Sequence, residues 1–190
     1  MQKPNAEKRR RIIEIAARLF ATRPFHETRL DDVAAAAKVG KGTLYIYFRN
    51  KEELYFAVIH AGFARLLEEL ESRVVHRDSP QEALAEIVRR LVGFGSSHPV
   101  FFELLRSVHE NQRRDLAAMR RRLDALITGI IRAGVRSGIW HDPNPRLTAA
   151  FIPGLIRSAM LHGPRGLGEK ALVSQILRLL RHGLTRRKSR

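Results

Sequence analysis

Apolar residues along the chain recur three and four positions apart, and most of the prolines fall between the stretches where they do so. Ile12, Ala16, Leu19 and Phe20 share one face of a first helix predicted to reach about Thr22. Thr28, three residues before Asp31, has the spacing of a capping box, and it opens a short second helix with Leu30, Val33, Ala34 and Ala37 at i, i+3, i+4 and i+7. Lys38-Val39-Gly40 interrupts the pattern, and a third helix is predicted from Lys41 to about Phe48. Asn50 with Glu53 caps a long fourth helix that reaches at least Leu70. Ser79-Pro80-Gln81-Glu82 joins an N-cap, a proline at N1 and an acid at N3, and so opens a fifth that ends near His98. Four more follow, at about 100–110, 113–136, 145–162 with a kink at Pro153, and 169–182 before Gly183. Alternating β-branched runs and Asn-Gly or Asp-Gly turns are missing, so the expectation is an all-α fold of about nine helices.

Residues 28–48 have the proportions of a helix-turn-helix: two short amphipathic helices, a three-residue turn containing Gly40, and Val39 placed to plug the space between them. With the first helix they close a small core from Ile12, Ala16, Phe20, Leu30, Val33, Ala34, Val39, Leu44 and Phe48. Leu44 and Phe48 then point inward, and Lys41, Thr43, Tyr45 and Tyr47 face outward. Gly42 removes a side chain where a reading helix comes closest to a groove floor or a phosphate.

Charge sharpens this picture. The 190 residues carry 35 Lys and Arg against 19 Asp and Glu, a formal +16, and residues 1–50 alone hold 11 basic and 5 acidic side chains, or 11 − 5 = +6. Such a balance favours polyanionic partners, nucleic acid or an anionic membrane surface. There is no cysteine, which excludes thiolate metal sites, disulfide scaffolds and thiol nucleophiles. No apolar run reaches about 18 residues, and the amino terminus leads into an amphipathic segment rather than a hydrophobic signal core, so the expectation is a soluble cytoplasmic protein without a membrane partner.

The stretch Ile12 to Val58, with Lys41-Gly42-Thr43-Leu44-Tyr45-Ile46-Tyr47-Phe48-Arg49-Asn50-Lys51-Glu52-Glu53-Leu54 at its centre, resembles the DNA-binding domain of the tetracycline-repressor-like (TetR) transcriptional regulators. Four positions depart from that family's usual pattern: Pro24 and Lys38 where glycine is common, Gly40 where a serine often begins the reading helix, and Ile46 where a polar or aromatic residue is usual. The resemblance implies a helix-turn-helix domain at 1–50 and a ligand-binding and dimerisation domain at 51–190 with a basic tail. It implies a repressor that binds a palindromic operator as a homodimer and is released by a small molecule. Carried over residue by residue, it places Thr28 and Tyr47 on phosphates and Lys41, Gly42, Thr43, Tyr45 and Ile46 in the major groove. Lys51 falls on the DNA backbone, and the long fourth helix couples ligand to DNA.

For the ligand, Phe63, Phe94, Phe101 and Phe102 stand among glycines 93, 95, 129 and 134, a mixture of bulk and missing side chains that can leave a cavity, with Arg90, Arg106 and Arg132 near it for an anionic group. For the dimer, one stripe runs through Leu147, Phe151, Gly154, Leu155 and Ser158 and another through Leu172, Ile176, Leu179 and Leu180, the pattern of a four-helix bundle made by two chains. Enzymatic readings lack a nucleus. Gly166-Leu167-Gly168-Glu169-Lys170-Ala171 fits a dinucleotide fingerprint but follows a helix rather than a strand, Ala35 breaks the phosphate-loop spacing before Gly40, and His109-Glu110 has Arg113 where a metal-binding helix needs histidine. No enzyme, cofactor or metal is therefore expected. Arg113, Arg114, Arg120, Arg121 and Arg122 form a basic cluster expected to be a solvated face, with a second nucleic-acid surface or an anion site as the sharper alternative.

Overall fold

The computed structural model describes residues 5–74, 79–100, 110–164 and 166–184. Among them there are eight helices and no strand: α1 (Ala6–Thr22), α2 (Leu30–Ala36), α3 (Lys41–Tyr47), α4 (Lys51–Val74), α5 (Pro80–Ser97), α6 (Glu110–Arg136), α7 (Pro145–His162) and α8 (Glu169–Leu184). The helix expected at about 100–110, with Phe101, Phe102 and Arg106, falls almost wholly outside the described residues.

Local chemistry sets most boundaries. Asn5 Oδ1 accepts from the amides of Glu7 and Lys8 at the start of α1. Asn50 Oδ1 accepts from Glu53 N at 2.8 Å, and Glu53 Oε2 reaches back to Arg49 N at 2.8 Å. Ser79 Oγ accepts from Glu82 N with Pro80 at N1. The cap of α2 is not where the spacing predicts it. Arg29 is the N-cap, and its amide donates to Asp32. Thr28 is instead drawn into the core, its hydroxyl turned to the Pro24 carbonyl at 3.2 Å. Nor does Gly183 end the last helix. Leu184 is buried and its carbonyl accepts from His141 N at 2.8 Å, so tertiary contacts carry the last turn past the glycine.

Two hydrophobic cores share one helix. The smaller joins Ile12 and Ala16 of α1, Val33 and Ala34 of α2, Leu44 and Phe48 around α3, and Leu54, Ala57 and Val58 from the first turns of α4. The larger takes Leu66, Leu67 and Leu70 from the far half of α4 and closes them under α5, α6, α7 and α8. Four of the glycines expected to leave space differ in what lies beside them. Gly95 is buried, Gly129 faces open space, Gly93 accommodates the Glu169 carboxylate, and a Cβ on Gly134 would lie 2.1 Å from Cε3 of Trp140, so the indole already fills that position.

Between α2 and α3 the chain makes a Schellman turn. Lys38 N donates to Ala35 O and Val39 N to Ala34 O, and Lys38 takes φ 53°, a left-handed conformation that glycine adopts freely and a lysine adopts at a cost. Lys38→Gly is therefore expected to raise stability by about 1 kcal/mol, and Lys38→Val to lower it by at least as much, in urea unfolding. A fall in stability for Lys38→Gly would show that the turn stores no strain.

Candidate nucleic-acid interface and regulatory cavity

The outer face of α3 is open. Tyr45 is 44% and Ile46 53% exposed, large side chains with no place in the core that holds Leu44 and Phe48 on the opposite side. A Cβ on Gly42 would meet nothing within 4 Å, so the backbone there is the lowest part of the surface. Lys41 Nζ lies 3.0 Å from Asp31 Oδ2, and that hydrogen bond with the carboxylate charge raises the lysine's pKa. Both groups are well exposed, so the ammonium is free to turn towards a stronger anion, and it also screens a carboxylate that would otherwise repel one.

Other predicted contacts are already engaged. Tyr47 Oη accepts from Asn5 N at 2.9 Å, which ties the start of α1 to the end of α3 and leaves the phenolic proton to donate outward. The position of Asn5 has a signal in the sequence, since an Asn before a periodic apolar run is an N-cap, but its contact with Tyr47 joins residues 42 apart and has none. Thr28 is 0% exposed, so its side chain does not meet a phosphate in this conformation. Lys51 also differs from expectation. Its ammonium donates to the carbonyls of Phe25 at 2.8 Å and His26 at 3.3 Å and sits 4.4 Å from the Phe25 ring centroid, fastening the α1–α2 connection to α4. Lys51→Met is expected to cost about 1–2 kcal/mol of stability and to weaken every operator alike, in thermal unfolding and binding titrations. A change in sequence preference would contradict this role.

In the larger core a cavity of about 240 Å³ opens between α4, α5, α6 and α7. Phe63 and Phe94 form part of its wall, their rings 5.2 Å apart and edge to face, and Ile59, Leu91, Met119, Leu123 and Ile156 are among the other apolar residues that line it. Its polar groups are His60, Arg120 and Arg157, and not the expected Arg90, Arg106 and Arg132. Arg90 is held by Glu69, Arg106 lies outside the described residues, and Arg132 is on the surface. Arg120 is spent on Asp124 and on the Ala150 carbonyl, so it joins α6 to α7. Arg122 likewise holds Glu71 of α4 at 2.7 Å, and two members of the basic cluster are thus internal ties.

The dimer stripe on α7 is exposed over Leu147, Phe151, Gly154, Leu155 and Ser158. On α8 the expectation needs correction: Leu172, Ile176 and Leu180 are buried in the chain's own core, and of the four leucine and isoleucine positions in that stripe only Leu179, at 49% exposure, faces out.

Residues 12–58 match the family model of bacterial regulatory proteins of the tetR family, and residues 77–184 match the tetracyclin repressor-like C-terminal domain. The chain belongs to the TetR family of transcriptional regulators. Among TetR relatives, the HTH-type transcriptional regulator YhgD of Bacillus subtilis is 28% identical over 151 residues, 75% of this chain and 77% of its own. FadR from Bacillus subtilis, solved in complex with stearoyl-CoA, shares the fold with a TM-score of 0.70 at 22% identity, over 92% of this chain and 98% of that one. AibR, solved with isovaleryl coenzyme A and operator DNA, shares it with a TM-score of 0.63 at 21% identity, over 90% and 97%. Among the described residues no helix is long and apolar enough to cross a membrane, and no three His, Asp or Glu side chains gather as metal ligands.

Proposed function

We propose that this TetR regulator is a cytoplasmic repressor without enzymatic activity, divided into a reading head at 1–50 and a regulatory body at 51–190 that share α4. It binds a palindromic operator as a homodimer and leaves it when a small molecule enters the α4–α7 cavity. The observation that carries the reading is the outward pair Tyr45 and Ile46 beside bare Gly42 on α3, a surface shaped to enter a groove rather than to be packed. Ile46 offers apolar contact to a thymine methyl, while Lys41, Thr43 and Tyr45 offer hydrogen bonds to base edges and Tyr47 one to a phosphate. Two such helices related by a two-fold axis demand half-sites about 34–36 Å apart.

For the effector, an apolar wall with His60 and Arg157 as its open polar groups favours a compact hydrophobic molecule with one anionic end. The acyl-coenzyme A esters bound to FadR and AibR are larger and carry several phosphates, but they too join an apolar acyl chain to an anionic part, which supports an effector of mixed apolar and anionic character.

The test is selection of bound duplexes from a random pool, followed by titration of the selected site. Tyr45→Ala and Ile46→Ala are each expected to lower discrimination between the selected site and its single-base variants by about 1–3 kcal/mol. Affinity that falls equally for all sequences, or a pool with no palindrome, would overturn the reading.

A further inference from the structure

A groove of about 1020 Å³ runs between α1 and α4 and reaches the end of α5 at His98. It uses a different face of α4 from the regulatory cavity: Tyr55, Val58, Gly62 and Arg65 line the groove, whereas Ile59, His60 and Phe63 line the cavity. The groove is deep because Ala17 and Ala21 of α1 and Ala61 and Gly62 of α4 supply little bulk along it.

Its chemistry is one-sided. Arg9, Arg10, Arg18 and Arg65 stand against the single carboxylate of Glu14, a formal 4 − 1 = +3. Arg9 lies over the Phe48 ring and Arg10 is 3.8 Å from Glu14. Arg18 and Arg65 have no carboxylate partner among the described residues. Tyr55 also lines the groove; it is only 5% exposed, its ring is perpendicular to Phe20 at 5.0 Å and its hydroxyl has no hydrogen-bond partner among the described residues. Burial pushes the phenol pKa up to about 12, so the group remains a neutral donor. The Tyr55 hydroxyl is at the edge of its buried ring, where it is free to donate, and guanidinium groups without carboxylate partners along an apolar groove concentrate positive potential. An acceptor-rich anion with a flat or apolar body satisfies both.

We propose that this groove is a second ligand site, separate from the regulatory cavity, for a phosphate ester of nucleotide size. Arg18 and Arg65 hold the phosphates, Tyr55 donates its hydroxyl to one of them, and the organic body lies against Phe20. One wall is α1 and the other α4, so an occupant bridges a helix of the reading head and the helix shared by both cores.

Calorimetry on the full chain with ADP, adenosine and inorganic pyrophosphate at constant ionic strength tests this. ADP is expected to bind once per chain, at least tenfold more tightly than adenosine or pyrophosphate. Arg18→Gln and Arg65→Gln should each weaken ADP about tenfold and Tyr55→Phe severalfold, while Arg121→Gln, an exposed arginine outside the groove, should change nothing. ADP binding that is absent, exceeds one per chain, or survives both groove variants would overturn the proposal. Operator titration separates this from the DNA-binding reading. The two groove variants should retain operator affinity, and variants that lose operator affinity while the unaltered chain binds no ADP would assign these arginines to the DNA backbone instead.

Discussion

Replacing Phe151 by arginine is expected to convert the protein from a dimer to a monomer and to lower operator affinity by at least a hundredfold. Phe151 is 55% exposed in the single chain, in line with Leu147 and Leu155 and beside Gly154, whose missing side chain leaves room for close approach. An interface about a two-fold axis uses the same patch twice, so each substitution enters it twice. An unpaired charge buried in place of an aromatic costs several kcal/mol, and two of them raise the dimer dissociation constant by about three orders of magnitude or more. Operator affinity falls with it because a single head keeps only one half-site. Sedimentation velocity at micromolar concentration reads the first effect and an operator titration the second. Leu172→Arg makes the contrast: that side chain is in the chain's own core, so its substitution should unfold the body rather than yield a folded monomer. A dimeric Phe151→Arg protein would remove α7 from the interface.

Gly134→Ala is expected to cost about 3 kcal/mol, at the upper end of what overpacking causes, and to lower Tm by about 6–12 °C. The added methyl would sit 2.1 Å from Cε3 and 2.7 Å from Cζ3 of Trp140, on a ring that is itself buried, so neither side has a free direction in which to move. The same ring follows a turn in which Gly138 takes φ 72° and both Ile139 N and Trp140 N donate to Gly134 O, which fixes it against α6. Gly134→Ala with Trp140→Phe should recover part of the loss, since the smaller ring vacates some of the contested volume. Calorimetric unfolding of the two single variants and the double variant measures the coupling. Additive losses would mean that the glycine serves α6 in some way unrelated to the indole.

Much of this architecture was legible from local rules. The caps at Asn50 and Ser79, the proline at position 80 and the inward register of Leu44 and Phe48 depend on neighbours within one turn, and the structure has them as the sequence suggests. Features decided by distant partners were not legible. Thr28 and Arg29 are both possible cap positions, and only burial of the threonine beside Pro24 selects the second. An apolar stripe on α8 says that one side is buried without saying whether its own chain or a second one buries it, and packing against α5 claims Leu172 and Ile176. Lys51 reads as a surface cation until the backbone carbonyls of Phe25 and His26, about 25 residues away, are placed over it. Arg90 reads as a candidate for the cavity until Glu69, 21 residues away, is placed against it, whereas the Arg120–Asp124 pair at i, i+4 is of the local kind.

The sharing of α4 between the two cores has a mechanical corollary. A helix of 24 residues is about 36 Å long, and the stretch from Phe63 at the cavity to Lys51 at the head covers about 18 Å of it. Pivoted at the cavity, this stretch is a lever: a tilt of about 5° at one end displaces the other by about 1.6 Å, and two heads moving oppositely alter their separation by about 3 Å. The two reading helices must match a duplex whose repeat is fixed at about 34–36 Å, and a base edge tolerates little misplacement. A deformation too small to disturb packing around the effector is therefore enough to put the heads out of step with the groove, and the length of α4 itself supplies the gain.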